Sequence, residues 1–172
     1  MKKEYTTTDA VAKHDVYQNI INRLKEDGVD YTILSHTPVY TMEQASIVCD
    51  HLPEQGVKVL FIRVYNSKKK YGFALIVWTG SLPIDFVSVS NNILAKKISM
   101  ATPEEVIQNL GIEIGSLSPF GYEHHFPLIF DSRLCKQDSV YINAGRHDLT
   151  IKLSPQNLKN LLIKSGSETF EI

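Results

Sequence analysis

The run Gly115-Ser116-Leu117-Ser118-Pro119-Phe120-Gly121 brings together glycine, proline and serine at a density found nowhere else in the chain. Such a stretch cannot continue a helix or a central strand, because proline has no amide donor and glycine gives up the most backbone entropy. It makes a rigid turn with its main-chain N–H groups turned outward. Amides aimed at one point stabilise developing negative charge, such as the oxyanion of an acyl-transfer intermediate. The chemistry of this chain is expected on that loop.

Other reactive patterns are weaker. Ser116 and Ser118 lie between glycines, but G-x-S-x-G spacing is not met, since Gly115 and Gly121 each stand three residues from Ser118. Ser118 reads as a turn residue before Pro119. His124-His125 resembles half a metal site, yet no carboxylate or third histidine stands at ligand spacing, and no metal is expected. Lys68-Lys69-Lys70 suits either phosphate contact or simple solubility and edge protection. No Walker loop, dinucleotide fingerprint, HExxH or EF-hand loop occurs, so no cofactor is expected.

The elements that must hold this loop follow from periodicity. Val16, Ile20, Ile21 and Leu24 share one helical face, with Gly28 where a helix stops. Tyr31 to Leu34 reads as a short strand. Thr41 and Gln44 have capping-box spacing and predict a helix that carries Ala45 and Val48 inward. Residues 57–65 and 71–78 predict a hairpin with a charged tip. Residues 85–95 are ambiguous between helix and loop. Thr102-Pro103-Glu104-Glu105 opens a helix that ends at Leu110-Gly111. Leu128 to Phe130, Val140 to Ile142 and Leu149 to Leu153 read as strands, with turns at Asp131-Ser132 and Ala144-Gly145. Ser154-Pro155 opens a last helix.

These pieces predict one α+β domain over 15–172, after a polar leader at 1–14, with helices around a mixed, mostly antiparallel curved sheet or open barrel. At 172 residues the chain is long enough for a proper core. A net charge of −1 argues against wholesale wrapping of nucleic acid but not against a local basic patch. Cys49 and Cys135 are far apart and lack CxxC spacing, which favours a reduced, cytoplasmic setting. No apolar run is long enough to span a bilayer, and no membrane association is expected.

Several segments together resemble the YbaK/ProX superfamily, the aminoacyl-tRNA deacylases related to the editing domain of bacterial prolyl-tRNA synthetase. They are His36-Thr37-Pro38 with Thr41-Met42-Glu43, Gly56 to Phe61, the Gly115-to-Gly121 loop, Leu128-Ile129-Phe130-Asp131, and Asn143-Ala144-Gly145-Arg146. The resemblance runs from about Tyr31 to Leu162. It implies that Lys58 contacts the sugar–phosphate of the terminal adenosine or polarises the ester. It implies that the G-x-x-x-P loop, from Gly115 through Ser116, Leu117 and Ser118 to Pro119, holds the terminal nucleotide and the scissile carbonyl. His36, Thr41 and Asn143 fall at substrate-side positions. Lys68, Lys69, Lys70 and Arg146, with Lys96 and Lys97, are candidate RNA contacts, and Phe120 and Tyr122 candidate stacking surfaces.

The implied function is trans-editing: hydrolysis of the ester of mischarged tRNA at its CCA end, with or without a synthetase partner. An aminoacyl ester is already activated, so such an enzyme needs positioning and oxyanion donors rather than a strong nucleophile. Two departures leave the amino acid open among Ala, Ser, Thr and Cys. Val48-Cys49-Asp50 stands where many members carry an arginine, and Val59 follows the lysine where the alanyl-specific branch has asparagine. A non-catalytic tRNA-binding or synthetase-associated adaptor and a hydrolase of a small aminoacyl or thioester metabolite are the competing readings.

Overall fold

The computed structural model describes residues 15–66 and 71–172. Helix α1 (Val16–Glu26) starts at Asp15, whose side chain accepts from the Gln18 amide, and buries Val16, Ile20, Ile21 and Leu24. That is the face the spacing predicts. Strand β1 (Tyr31–Ser35) and helix α2 (Met42–Val48) follow. A 3-10 turn at Pro53–Gln55 leads into β2 (Val57–Tyr65) and β3 (Tyr71–Thr79). Next come α3 (Phe86–Asn92), β4 (Lys97–Met100) and α4 (Pro103–Leu110), the last with a full capping box from Thr102 and Glu105. Beyond the glycine–proline loop lie β5 (Leu128–Phe130), β6 (Val140–Asn143), β7 (Leu149–Leu153), α5 (Pro155–Lys164) and β8 (Thr169–Glu171).

Two sheets result. A three-stranded antiparallel sheet has the order β1-β7-β6, and a five-stranded sheet has the order β4-β2-β3-β5-β8. The larger sheet is antiparallel through β4, β2 and β3, but β5 and β8 join it in parallel. The fold is therefore α+β as expected, with one mixed and one antiparallel sheet and, among the described residues, no closed barrel. β5 explains the parallel part: as an inner strand its three residues are all buried, and it reads as a continuous apolar run.

Side chains alternate across the larger sheet as the pleat requires. Phe61, Leu75, Val77, Leu128 and Phe130 enter the main core with α1, α4 and α5. Ile62, Ala74, Ile76, Trp78 and Ile129 enter a smaller core under Val89 of α3. Of residues 85–95, ambiguous in sequence, Phe86–Asn92 are helical, with Asp85 capping the amides of Val87 and Ser88. The edge strands β4 and β8 went unread, being short and incompletely buried. Val48 corrects another expectation: it is exposed, and α2 buries none of its residues. Its inner side, through Met42 and Ala45, faces an open cavity rather than the core. Among the described residues, no helix is long and apolar enough to cross a membrane.

Asp131, wholly buried, joins the ends of β3 and β5. Its carboxylate accepts from the Thr79 amide at 3.0 Å and from Arg133 Nε at 2.7 Å and Nη2 at 3.0 Å. Asp131→Ala leaves the buried Thr79 amide without its acceptor, while the half-exposed Arg133 can turn to water, and is expected to cost about 1–3 kcal/mol of stability, read as a lower urea midpoint. A midpoint unchanged from the parent protein contradicts that role.

Candidate active site

Strand β4 pairs with β2 only over Ile62 to Tyr65, and Gly56 bridges to Tyr141. Between those contacts residues 57–60 have no strand neighbour on that side among the described residues. A cavity of about 240 Å³ lies along this open edge. Its walls come from the start of α2, from residues 114–117 and from β6 and β7, with Lys58, Gly115, Leu117, Asn143 and Thr150 among them. Gly80 packs against the turn before β2: a Cβ there would meet the backbone oxygens of Pro53 at 2.7 Å and Gly56 at 3.0 Å, so that position requires glycine.

The loop has an exposed lip and a buried stem. Ser116 N–H donates to Glu113 O at 3.2 Å, closing a turn in which Gly115 has φ of +93°. That third position demands a positive φ and favours glycine. A side chain there would also meet His147 Cε1 at 3.2 Å. From Ser116 to Phe120 the chain is buried, and Ser116 Oγ donates to Glu113 O. Tyr122 clamps the stem, its hydroxyl accepting from Ser118 N–H at 2.9 Å and donating to Ser118 O at 2.6 Å. Burial pushes the Tyr122 phenol well above its ordinary value. The amides of Gly115 and Leu117 have no acceptor among the described residues.

The polar groups of the cavity are few. Lys58 Nζ donates to Leu82 O at 3.2 Å and forms no ion pair among the described residues. Asn143 Oδ1 accepts from the amides of Gly145 and Arg146, which leaves its NH2 group uncommitted. Thr41 caps α2 through the Gln44 amide, while Gln44 Oε1 takes the Tyr40 amide. His51 Nδ1 lies 2.7 Å from Leu52 O, and its ring stacks on Tyr141 at 4.2 Å. A carbonyl can only accept, so Nδ1 donates that bond. By the same rule His36 Nδ1 donates to Thr37 O, and His36 Nε2 lies 3.0 Å from Thr150 Oγ1. Burial raises the Cys49 thiol, and its hydrogen bond with Thr150 offsets part of that.

An open strand edge and two residues with amides free among the described residues border a small cavity, and Lys58 lies on the strand that forms that edge, its ammonium turned to Leu82 O. Residues 36–161 match the family model described as the aminoacyl-tRNA editing domain. The chain belongs to that family. It is 27% identical over 161 residues to the prolyl-tRNA editing protein ProX of Acetoanaerobium sticklandii, covering 91% of this chain and 96% of that one. It is 26% identical to the multifunctional Ser/Thr-tRNA deacylase ProXp-y of Escherichia coli, covering 80% and 82%. A solved structure, described as a candidate trans-editing enzyme for prolyl tRNA synthetase, shares the fold with a TM-score of 0.74 at 22% identity, covering 91% and 95%.

In this editing domain Lys58, Thr41, Gly115, Leu117 and Asn143 line one cavity. Other residues singled out in sequence lie elsewhere. Ser116 and Ser118 are buried in the stem. Pro119 and Phe120 line a second cavity of about 310 Å³, shared with Tyr122, His124 and His125. Phe120 is 8% exposed, and the Tyr122 hydroxyl is committed to Ser118, so neither ring stands out as a stacking surface. His36 sits behind Thr150. Arg146 is held by Asp148 through two bonds of 2.9 and 2.8 Å, which holds the Asp148 carboxyl below its ordinary value. Lys68, Lys69 and Lys70 lie outside the described residues, as does the leader at 1–14.

Sequence reasoning missed Tyr40, His51 and Thr150. Each sits beside or beyond a quoted motif, and its approach to the cavity depends on sheet pairing. The Tyr122 clamp predicts that Tyr122→Phe, which strands both Ser118 groups, lowers stability by about 1–3 kcal/mol. The raised phenol keeps this contribution intact below the unfolded tyrosine value of about 10, and it fades as pH climbs above that. Parallel unfolding curves for parent and variant at pH 7 and 11 check this. The gap must narrow at the higher pH.

Proposed function

We propose that this editing domain is a free-standing hydrolase that removes a small amino acid from mischarged tRNA. The observation that carries the reading is one cavity lined both by Lys58, which has no ion pair among the described residues, and by Gly115 and Leu117, whose amides have no acceptor there. The acyl carbonyl lies against those donors with the Lys58 ammonium alongside. Water adds to the carbonyl carbon, the C–O bond to the ribose breaks, and the ribose oxygen leaves with a proton. Amides and ammonium stabilise the charge as it forms, and no covalent intermediate is needed.

A cavity of about 240 Å³ suits a small acyl group such as Ala, Ser, Thr or Cys. The similarity to proteins named for prolyl-tRNA editing and for Ser/Thr-tRNA deacylation supports a tRNA substrate, entered through the CCA end. A synthetase partner and a cytoplasmic setting accord with that role.

The test charges tRNAs separately with Ala, Ser, Thr, Cys and Pro and follows release of labelled amino acid by the pure protein. Lys58→Ala is expected to lower turnover at least about a hundredfold, as loss of one preorganised oxyanion donor does, with the melting temperature unchanged. Equal turnover by variant and parent rejects the role of Lys58. Binding of tRNA without release from any of the five points instead to an adaptor.

A further inference from the structure

Tyr40 stands at the mouth of the cavity and is 66% exposed. Of the cavity's Tyr40, Phe61 and Tyr141, it alone is open to solvent, the others being 1% and 8% exposed. Its backbone is fixed on several sides. The Tyr40 amide is held by Gln44, and the preceding residue exchanges bonds with His147, Val39 N–H to His147 O at 2.9 Å and His147 Nδ1 to Val39 O at 3.2 Å. The His147 ring then backs the tyrosine at 4.5 Å between centroids, with the planes inclined by 37°. Tyr40 O is also among the nearest atoms to the space a Cβ on Gly115 would fill. An aromatic ring is thus pre-ordered beside the uncommitted amides with much of its surface bare.

We propose that Tyr40, buttressed by His147, is the platform on which the terminal base of the acceptor end stacks. This rests on the reading that an aminoacyl ester occupies the cavity. The ribose that carries such an ester lies at the mouth, and its base must cover whatever surface borders that mouth. Every base has a π-face, so a bare aromatic ring grips it without selecting sequence. Tyr40 is then a binding residue that positions the ester, distinct from the groups that stabilise charge.

The experiment places 2-aminopurine, whose fluorescence is quenched by stacking, at the terminal position of a CCA-ended RNA. Parent protein and Tyr40→Phe are expected to quench it, whereas Tyr40→Ala and Tyr40→Leu are not. With charged tRNA, Tyr40→Ala is expected to raise KM roughly 5- to 150-fold with kcat held, and the phenylalanine variant to restore KM. Exposure of the residue makes the folded state of each variant secure, and circular dichroism checks it. Quenching by Tyr40→Ala equal to that of the parent overturns the proposal, as does a parent protein that fails to quench. Ester cleavage by the parent is scored separately. Release without quenching removes only the stacking role, and quenching without release removes the hydrolase reading.

Discussion

The Thr79 amide donates to the Asp131 carboxylate in the interior, and the geometry of the cavity follows from that bond. Thr79 Oγ1 donates in turn to Glu54 O at 2.9 Å, and Gly80 N–H donates to Gly56 O at 2.7 Å. The end of β3 thereby holds the 3-10 turn and the first residues of β2, including the position from which Lys58 extends. Arg133 completes the carboxylate's coordination and covers the Trp78 ring at 4.8 Å. A charge taken wholly out of water is tolerated only when all its lone pairs find donors. This one does, and its donors belong to the segments that must meet at the cavity.

That arrangement also explains why the edge of β2 stays open. An unpaired strand edge invites association, and proteins normally cover or interrupt it. Here β4 covers the upper half and Gly56 bridges to Tyr141 below. The gap between them is walled by α2 and the Gly115 loop. Neither wall needs to pack tightly against the strand. This is why α2 is short and has no buried residue, although its sequence reads as an ordinary amphipathic helix start.

Local chemistry was legible in the sequence wherever it determined the outcome. The Thr102 box, the α1 stripe and the β2–β3 hairpin are decided by caps and periodicity, which act over a few residues. The loop at 115–121 was legible as a turn, but its division into an exposed lip and a buried stem was not. That division depends on Tyr122 reaching back to Ser118 and on α1 lying beneath Gly121, where a Cβ would meet Ile20 Cγ1 at 2.6 Å. The same limit explains Phe120. In sequence it is an aromatic residue beside a binding loop, and only the packing makes it core. Tyr40 is the converse case, a residue with no periodicity to mark it, its backbone held by Gln44 and its ring backed by His147 while most of its surface stays bare. The parallel pairing of β5 with β3 escaped for a related reason, since a three-residue apolar run carries no sign of direction.

The distribution of positive charge bears on how such a site can meet a polyanion. Every arginine of the chain is committed: Arg23 to Asp27, Arg63 to Glu105, Arg133 to Asp131 and Arg146 to Asp148. The guanidinium fork is the group best matched to a phosphate, and here carboxylates already occupy it. With a net charge of −1, little long-range attraction remains to gather RNA onto the surface. Under the proposed function, recognition of an acceptor end falls to short-range features, namely lysine point charges, main-chain donors and an exposed aromatic face. These act only when the chain end has entered the mouth. A protein built this way discriminates through what fits the cavity rather than through the body of the nucleic acid, and the acyl group is the part that varies there.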